Sequence, residues 1–413
     1  MQGDGVSKHD TRLRELRPRL RTVAVTGTNG KTTTASMVAS IVAAAGEVPA
    51  RVTTLGAWVG DDLVAEEGSI GAFAATVERA VALGVRTLAV ETSSRGLAAG
   101  FARRWPPDVA VFTNLSRDHL DRHGSPEAYL AAKARLFLAL PSGGTAVLNA
   151  DDPSSALLSG VLPASVERLA WSLGEPRADG VATDLVASNV SVARDGTELA
   201  IGAGSGLAEP MAGRTIRLRT IGRVFASDAL AASLATVALG YDAEAIVRGL
   251  QRFETVPGRF EVVSREPFVV VDYAHTPDAL RQSLATAREL AAARGGRVGC
   301  VFGCGGDRDP GKRPEMGAIA DAAADHVVLT NDNPRGEPAE AIADAVQSGA
   351  AGRAEWAREL DRAEAICHAV RWARPVDVVV IAGKGHETYQ ELAGARIPFS
   401  DREVARAALR ACR

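Results

Sequence analysis

A glycine-containing loop between an apolar strand and a helix is the first stretch whose residue types could perform chemistry. The sequence TVAVTGTNGKTTT places Gly27 and Gly30 in this loop. A glycine loop that opens a helix directs backbone N–H groups and the positive end of the helix dipole at a phosphate. Lys31 would add a positive charge near the outer phosphates, and Thr32 would offer a hydroxyl to Mg²⁺. The strict spacing GxxxxGK[ST] requires glycine where Val25 stands, so the narrower pattern TGTNGKT carries the prediction of nucleotide binding.

Acidic and histidine side chains follow the next two apolar runs. Glu91 ends the run TLAVE, where it could bind Mg²⁺ beside the phosphates or cap the following helix. The loop FTNLSRDHLDRHG holds two acids and two histidines within the six residues 118–123, which favours a second metal or a catalytic contact over a plain surface loop. Lys133 lies in the apolar helix predicted over 128–140, and its pattern alone indicates only a snorkelling or paired lysine.

A second group of charged side chains follows three later apolar runs. Arg308 comes from GCGGDRD, Asp332 and Arg335 from DNPR, and Glu387 from GKGHE. Glycines allow a close approach to a ligand, and arginine can bind a carboxylate through two parallel hydrogen bonds. The mixed charges fit a zwitterion with α-amino and carboxylate groups. The alternative is a set of ion pairs at loop tips.

For these residues to form one site, the strands that precede them must end at the same edge of a sheet. Apolar runs alternate with helical stretches from residue 22 to about residue 150, which predicts a parallel α/β sheet. Short β-type runs over 161–221 predict an antiparallel subsheet, and the alternation restarts near residue 256. We therefore predict an N-terminal tail (1–21), a central nucleotide-binding domain (22–255) and a C-terminal domain (256–413). Ligands of such sheets bind at the carboxyl ends of the strands.

Composition excludes several other classes. The 413 residues contain 47 Lys+Arg and 50 Asp+Glu, a net charge of −3, so no basic field predicts nucleic-acid or membrane binding. No apolar run approaches the length of a membrane span, and the polar N-terminus lacks the apolar region of a signal peptide. A cytoplasmic enzyme is the expectation. Cys300 and Cys304 have no second Cys/His pair, so we predict buried thiols rather than zinc ligands.

In combination the motifs resemble those of the Mur ligase family, and within it the diaminopimelate-adding MurE type. The resemblance covers residues 23–401 and includes TGTNGKTTT, ETSSRGL, FTNLSRDHLDRHG, YLAAK, LNADDP, PGRFE, VDYAHTPDAL, FGCGGDRDPGKRPEMG, TNDNPRGE and AGKGHETYQ. It implies a P-loop-type central ATPase domain, with a mostly parallel sheet and a small antiparallel subsheet. A Rossmann-like α/β C-terminal domain, which binds the amino acid, would follow.

The resemblance also implies a reaction and its residues. ATP would activate a carboxylate as an acyl phosphate, and an amino acid's amine would attack it to give an amide, ADP and phosphate. Nucleotide contacts would come from Gly27, Thr28, Asn29, Gly30, Lys31, Thr32, Thr33, Asn114, Asp272, Tyr273 and His275. Two Mg²⁺ ions would be held by Thr32, Glu91, His119 and Lys133, with Lys133 carbamylated. The implied catalytic residues are Lys31, Glu91, His119 and Lys133.

The substrates would contact two separate sets of residues. The resemblance implies that the carboxylate substrate lies near Ser93, Ser94 and Arg95. It implies that diaminopimelate or a similar amino acid is held by Arg308, Asp332, Asn333, Arg335, Gly383 and Glu387, all of which are present here.

Four departures from the family pattern bear on the substrates and on the adenine. Only residues 1–21 precede the first strand, where the family has a UDP-binding domain, and the family's TTGS-type loop is replaced by VAEEGSIGAF. Arg95 replaces a histidine of the family. Phe225 and Asp228 replace two asparagines that the family places near the adenine.

The resulting hypothesis is a MurE-type amide ligase whose carboxylate substrate is non-standard, such as a small metabolite, a peptide or a natural-product precursor. Three alternatives stay open. They are a peptidoglycan ligase for UDP-muramoyl dipeptide with a truncated N-terminal domain, a poly-amino-acid ligase like the Mur-like part of cyanophycin synthetase, and a non-catalytic nucleotide-binding subunit. The expected partners are small-molecule substrates, with self-association or a protein partner over the face that the missing domain would cover.

Overall fold

The structure is a computed structural model that describes residues 8–412, with side chains over 11–412. Helix α1 (Lys8–Leu16) and a 3₁₀ turn (Arg17–Arg19) precede the first sheet. Residues 1–7 of the predicted N-terminal tail lie outside the described residues. Within the described range, no helix combines the length and the apolar character that crossing a membrane requires.

Eleven strands form one large sheet in the order β11-β10-β9-β8-β7-β6-β1-β5-β2-β3-β4. Their bounds are β1 (Arg21–Thr26), β2 (Pro49–Thr53), β3 (Gly56–Val59), β4 (Asp62–Ala65), β5 (Thr87–Glu91), β6 (Val109–Phe112), β7 (Thr145–Asn149), β8 (Glu167–Ser172), β9 (Leu185–Ala193), β10 (Gly196–Gly204) and β11 (Thr215–Leu218). Seven neighbouring strands pair in parallel, in the order β2, β5, β1, β6, β7, β8 and β9. The pairs at the two edges, β2–β3–β4 and β9–β10–β11, are antiparallel.

The parallel strands are apolar throughout because helices cover both faces of the sheet. Val23 and Val25 of β1 have no exposed surface. The register pairs Val25 with Glu91 and Thr26 with Phe112. The phosphate loop, Glu91 and the loop after Phe112 therefore leave the sheet at the same edge, as the sequence predicted from the parallel order.

The helices of this large-sheet unit (residues 21–252) begin where the sequence provides caps. Ser69, Ser125 and Asp242 each accept a hydrogen bond from the first turn of the helix they precede. The bounds are α2 (Lys31–Ala44), α3 (Ile70–Ala82), α4 (Ser94–Ala98), α5 (Phe101–Arg104), α6 (Leu120–His123), α7 (Pro126–Leu138), α8 (Ser154–Gly160), α9 (Arg223–Ala238) and α10 (Ala243–Arg252).

A second sheet follows with the order β12-β13-β17-β14-β15-β16. Its strands are β12 (Glu261–Arg265), β13 (Phe268–Asp272), β14 (Val298–Phe302), β15 (His326–Leu329), β16 (Glu355–Arg358) and β17 (Val378–Ala382). Only β12 is antiparallel to its neighbour. Because β17, β14 and β15 are parallel neighbours, the three predicted charged loops leave this sheet at one edge.

The helices of this second-sheet unit (residues 261–411) alternate with its strands. They are α11 (Pro277–Ala292), α12 (Lys312–Ala323), α13 (Ala339–Gln347), α14 (Arg362–Trp372) and α15 (Asp401–Ala411). A separate hairpin, β18 (Tyr389–Leu392) and β19 (Ala395–Pro398), connects the Glu387 loop to α15. The mixed α/β fold agrees with the sequence prediction.

Two details of the large sheet differ from the sequence pattern. Strand β8 lies within 161–221 but is parallel to both neighbours, so the antiparallel part begins only at the β9–β10 pair. Leu169, Ala170 and Trp171 of β8 are at most 4% exposed, which is typical of a strand covered on both faces. The antiparallel edge β2–β3–β4 was not predicted because its short strands alternate with polar turns.

The cysteines are free thiols. Cys300 lies inside β14, Cys304 follows it, and both are buried. Burial raises the pKa of the Cys300 thiol to about 12, so it stays protonated near neutral pH. The prediction of buried thiols is confirmed.

Candidate active site

The phosphate loop connects the end of β1 to the first turn of α2 through two tightly packed glycines. A Cβ on Gly27 would lie 1.8 Å from Thr113 Oγ1, and one on Gly30 would lie 2.3 Å from Asp228 Oδ1. Gly30 also has a left-handed φ of 83°. No side chain caps α2, and its first turn contains no acid. The N-terminus of α2 is therefore open to an anion, which fits a nucleotide phosphate.

The shape of the loop is fixed by the two residues that follow β6. Asn114 Oδ1 accepts from Asn29 N at 2.9 Å, and the Asn114 carbonyl accepts from Thr28 N at 2.9 Å. Thr113 Oγ1 donates to the Asn29 carbonyl at 2.6 Å. Asn114, predicted from the family resemblance as a nucleotide contact, thus holds the loop itself.

Thr32 and Glu91 meet at the predicted magnesium position. Glu91 Oε2 accepts from Thr32 Oγ1 at 2.8 Å and from the hydroxyl and N–H of Thr54 at 2.9 and 3.1 Å. Burial would raise the pKa of Glu91, but the Lys31 ammonium and these hydrogen bonds outweigh it and lower the pKa. Glu91 is therefore a carboxylate near neutral pH. Thr54 follows β2 in the unpredicted edge, and no motif in the sequence marks it.

Lys31 points back over its own loop. Its Nζ donates to the Thr28 carbonyl at 2.6 Å. Burial lowers the pKa of Lys31, and the nearby carboxylates of Glu91 and Asp118 act against this effect. An incoming phosphate would stabilise the charged form of Lys31 further. Thr33, the other predicted contact in this turn, is buried at the N-terminus of α2.

Lys133 is completely buried on α7, directly behind the phosphate loop. Its Nζ donates to the Gly27 carbonyl at 2.6 Å and lies 4.1 Å from the ring centre of Tyr129. Burial, together with the charge of Lys31, lowers the pKa of Lys133 well below its ordinary value. The neutral, nucleophilic form of the amine is therefore more accessible than in an ordinary lysine, which fits the chemistry of carbamylation.

His119 occupies a strained position beside these groups. It has a φ of 55°, unusual for a residue with a side chain, and its Nε2 lies 3.3 Å from Asp118 Oδ2. Burial lowers the pKa of His119, so a neutral imidazole, the metal-binding form, prevails near neutral pH. Among residues 11–412, no three His, Cys, Asp or Glu side chains gather into a preformed metal cluster. Each predicted Mg²⁺ would thus need phosphate and water oxygens as well, as Mg²⁺ sites usually do.

The residues predicted for the carboxylate substrate lie on and before α4. Ser93 caps this helix by accepting from Gly96 N at 3.1 Å. The buried Ser94 shares a hydrogen bond of 2.9 Å with His123 Nε2, so it is tied to the His119 loop. Arg95 is exposed on the same helix.

Most of the predicted amino-acid site is brought together at the ends of β15 and β17. Asn333 Nδ2 donates to Glu387 Oε2 at 3.0 Å. Asp332 is buried against Gly383, where a Cβ would lie 2.6 Å from Asp332 Oδ2. Arg335 contacts the neighbouring loop through Gly306 O at 2.8 Å.

Arg308 is exposed and donates to its neighbour's carbonyl, Asp307 O, at 2.9 Å. Its guanidinium has no carboxylate partner within 4.0 Å among the described residues, whereas Arg335 Nε lies 3.3 Å from Glu391 Oε2. Of the two predicted arginines, Arg308 is thus the one without a carboxylate partner among the described residues.

The segment after β13 faces the phosphate loop. Asp272 is fixed by the backbone N–H of Phe260 at 3.2 Å and by the Ser283 hydroxyl, and His275 Nδ1 donates to the Tyr273 carbonyl at 2.8 Å. Burial raises the pKa of Asp272 and of Tyr273, to about 12 for the phenol. All three predicted contacts therefore lie in one half-buried, hydrogen-bonded turn.

Two contacts join the edges of the two sheets. Asn29 Nδ2 of the phosphate loop donates to Asp278 Oδ2 at 3.2 Å. Arg117, two residues before His119, binds Asp309 through two hydrogen bonds of 2.8 and 3.1 Å. Asp309 is the neighbour of Arg308, so the phosphate loop and the charged loops face each other rather than opposite sides of the molecule.

Several residues of the site were missed at the level of sequence. Arg259 lies 4.4 Å from the ring centre of Tyr273, and the fully buried Lys384 donates to Asn333 Oδ1 and Glu387 Oε2, both at 2.9 Å. Both stand in quoted motifs, PGRFE and GKGHE. Their charge inside a glycine-containing motif was the signal that could have identified them.

The fold and the site together define an ATP-dependent ligase that forms amide bonds and releases ADP. The chain belongs to the Mur ligase family. Residues 25–236 match the family's middle domain, and residues 258–385 match the domain described as Mur ligase, glutamate ligase domain. Ligases of this family use ATP and Mg²⁺.

Individual relatives place the chain near one branch of the family. It is 43% identical over 400 residues to the UDP-N-acetylmuramoyl-L-alanyl-D-glutamate--2,6-diaminopimelate ligase of Ralstonia nicotianae, covering 95% of this chain and 76% of that protein. The protein of the same name from Pseudomonas aeruginosa is 42% identical, with 94% and 78% covered. The predicted resemblance to the MurE type is therefore confirmed, and the chain spans about three quarters of these relatives.

Solved structures agree with this placement. A structure of a UDP-N-acetylmuramoyl-L-alanyl-D-glutamate--2,6-diaminopimelate ligase matches with a TM-score of 0.66 and 34% identity, covering 98% of this chain and 82% of that one. Mycobacterium tuberculosis folylpolyglutamate synthase complexed with ADP and AMPPCP matches with a TM-score of 0.67 at 22% identity, covering 91% and 92%. At that identity the second match shows a shared fold only.

Proposed function

We propose that the chain is a MurE-type ligase that joins an ATP-activated carboxylate to an amine of diaminopimelate or a similar amino acid. One observation carries the proposal. The phosphate loop and the charged loops face each other, and Arg117 and Asp309 connect them directly. An acyl phosphate formed at the first group of residues would thus lie close to an amine held at the second. Such a reaction depends on positioning and charge neutralisation more than on a protein nucleophile.

In this proposal the nucleotide phosphates bind the N-terminus of α2 and Lys31. Thr32 and Glu91 would hold one Mg²⁺, and His119 with a carbamylated Lys133 would hold a second. The ions would neutralise the charge that develops on the transferred phosphoryl group. Asp272, Tyr273 and His275 would complete the nucleotide site from the second-sheet unit.

The amino acid would bind at the ends of β14, β15 and β17. Arg308 would take its distal carboxylate, and the Asp332, Asn333, Gly383 and Glu387 group would take its distal ammonium. Lys384 Nζ already donates to Glu387 Oε2 at 2.9 Å and neutralises part of its charge. A substrate ammonium would therefore have to share Glu387 with Lys384. The domain division at residues 22–255 and 256–413 is part of the same proposal and is supported by the matched ranges.

The carboxylate substrate is the finer part of the proposal. We propose a substrate other than the usual UDP-muramoyl dipeptide, with Arg95 binding an acidic group of it. Arg95 is exposed, and Ser94 of the same helix is hydrogen-bonded to His123 in the loop that contains His119. Both observations support this assignment. The second candidate is UDP-muramoyl dipeptide itself, favoured by the 43% identity to a ligase named for it. The expected self-association stays a prediction.

Phosphate release from ATP tests the proposal. We expect release only when a carboxylate and an amino acid are both present, with diaminopimelate the most active of an amino-acid panel. UDP-muramoyl dipeptide should be compared with a mixture of small carboxylates and peptides. Turnover of ATP that is indifferent to both substrates would contradict the ligase assignment. A product ladder by mass spectrometry would instead indicate a poly-amino-acid ligase.

A further inference from the structure

A fully buried ion pair lies beneath the loops that we assign to the amino acid. Arg362 is the first residue of α14, and Asp401 is the first residue of α15. The Arg362 Nε and Nη2 donate to the two Asp401 carboxylate oxygens at 2.7 and 2.8 Å. Both side chains have 0% of their surface exposed. The pair is therefore a fixed part of the second-sheet unit rather than a surface contact.

The remaining donors of Arg362 reach the ends of two strands. Nη2 also donates to the carbonyl of Ala382, the last residue of β17, at 2.9 Å. Nη1 donates at 3.1 Å to the carbonyl of Asn331, which lies just after β15. Strand β14 separates β17 from β15 in the sheet. One planar group thus fixes the spacing between two strand ends that are not direct neighbours.

The residues that follow these two carbonyls belong to the proposed amino-acid site. Asp332 follows Asn331, Gly383 follows Ala382, and Asp332 lies directly against Gly383. The Asp332 carbonyl also accepts from Gln390 Nε2 of β18 at 2.9 Å. The hairpin β18–β19 then leads to Asp401. The loop from 383 to 400 is therefore fixed at both ends by the same guanidinium.

Stability alone does not account for such a pair. A buried ion pair can often be replaced by apolar residues of similar volume without loss of stability, because the charges lose their hydration. A guanidinium instead provides several donors in one rigid plane, which fixes the relative positions of its acceptors.

We propose that Arg362, held by Asp401, is a positioning residue that sets the distance between the Asp332–Asn333 and Gly383–Glu387 loops and thereby the affinity for the amino acid. This inference rests on the proposed function, since it concerns the same site. Arg362 itself does not touch the site's interior. It acts through the two loops.

Steady-state phosphate release with Arg362→Lys and Asp401→Asn tests the proposal. Lysine keeps the charge, but its single ammonium cannot replace all the hydrogen bonds of Arg362 to the Asp401 carboxylate and to the carbonyls of Ala382 and Asn331. We expect the KM for diaminopimelate to rise at least tenfold in both variants while the KM for ATP stays within twofold. Asp401→Asn keeps the shape of the side chain, so it provides a measurement if Arg362→Lys folds poorly.

Asp377→Asn is a matched control in the same sheet. Asp377 is also 0% exposed, and it accepts from Arg297 Nη2 at 2.8 Å and from Arg374 Nη2 at 3.3 Å. It precedes β17 and so lies at the opposite edge of the sheet from the loops. We expect this control to lower the Tm as much as Asp401→Asn does without changing the KM for diaminopimelate.

Two other outcomes separate the failure of this inference from failure of the proposed function. An unchanged KM for diaminopimelate in Arg362→Lys and Asp401→Asn, or an equal rise in Asp377→Asn, would overturn the positioning role alone. A wild-type protein whose phosphate release does not depend on any amino acid would overturn the proposed function, and this inference with it.

Discussion

Lys133 is the residue whose surroundings most restrict its chemistry. This amine is completely buried, donates to the Gly27 carbonyl at 2.6 Å and lies near Lys31, and these surroundings favour its neutral form. A neutral amine can attack CO₂, releasing one proton and leaving a carbamate whose oxygens are suited to Mg²⁺. The same burial that makes an ammonium costly at this position would therefore favour the proposed conversion of Lys133 into a metal ligand.

Lys133→Met should remove activity while leaving the fold intact. Methionine is neutral and of similar length, so it fits the buried position but cannot form the carbamate, and we expect kcat to fall about 10²–10³-fold, as for other lost charge-stabilising groups. Isotopically labelled CO₂ should give one carbamate carbon signal in the wild-type protein and none in Lys133→Met. A wild-type protein that stays fully active after rigorous removal of CO₂ would contradict the carbamate.

Asp228 is an acid with one hydrogen-bond donor and no cation within 4.0 Å among the described residues. It is 7% exposed, and Thr34 Oγ1 approaches it at 3.3 Å. Burial raises the pKa of Asp228 to about 8, against the smaller effects of Thr34, Arg259 and Lys31. A protonated Asp228 has the shape and the donor–acceptor pair of an asparagine, the residue that the family resemblance implies at this position. At pH values well below 8 the neutral acid should therefore behave much as an asparagine would.

Nucleotide affinity should consequently fall as the pH rises through 8. Below this pKa Asp228 is neutral, and above it a negative charge lies beside Gly30 at the phosphate site. We expect the Kd for ADP, measured by calorimetry between pH 6.5 and 9.5, to increase roughly tenfold more in wild type than in Asp228→Asn. Deprotonation of Lys31 would weaken both proteins equally, so the difference isolates Asp228. Identical pH profiles would contradict the assignment.

At the scale of elements, the β1–loop–α2 unit is shaped by the strand beside it. Gly27 must leave space for Thr113, and Asn114 holds the backbone of Asn29. The loop therefore depends on the segment after β6 as much as on its own sequence. An added methyl group on Gly27 would collide with the Thr113 side chain, which is itself hydrogen-bonded to the loop.

Gly27→Ala should weaken ATP binding more than it weakens the fold. The new Cβ would lie 1.8 Å from Thr113 Oγ1, so the loop has to shift away from its phosphate-binding shape. We expect at least a tenfold higher Kd for ATP. Gly46→Ala is the matched control, because Gly46 has a φ of 85° with nothing within 4 Å of its Cβ position. It should cost about 1–2 kcal/mol of stability from strain alone and leave ATP affinity unchanged. Equal ATP affinities in the two variants would show that the contact with Thr113 does not shape the loop.

The sequence predicted the elements that repeat a simple pattern. The strands around Val23, Val109 and Val378 are uninterrupted apolar runs, and the rule that ligands bind at strand carboxyl ends placed Glu91 and Asp332 at the right edges. Contacts between residues that are far apart in the sequence could not be predicted. Lys384 and Asn333 are 51 residues apart, and Arg362 and Asp401 are 39 apart. A charge that is buried by such contacts looks the same in sequence as a charge on a helix surface.

At the scale of the whole molecule, a few polar contacts connect the edges of the two sheets across the site. Arg117 and Asp309 form the best-aligned of these contacts, with side chains that are 40% and 12% exposed. An exposed pair stabilises a fold by at most about 1 kcal/mol. Its importance would therefore lie in the relative position of the two halves, between which the acyl group would pass in the proposed reaction.

Reversing either charge should impair turnover, and reversing both should restore it. We expect Arg117→Asp and Asp309→Arg each to lower kcat/KM for the amino acid about tenfold, since like charges repel at the junction. The double variant should recover at least half of this loss. Arg358→Ala breaks a 2.7 Å ion pair with Asp344 inside the second-sheet unit and should change nothing. Small-angle scattering should show a larger radius of gyration for the single variants alone. Unchanged kinetics in both singles would mean that the halves are aligned by other contacts.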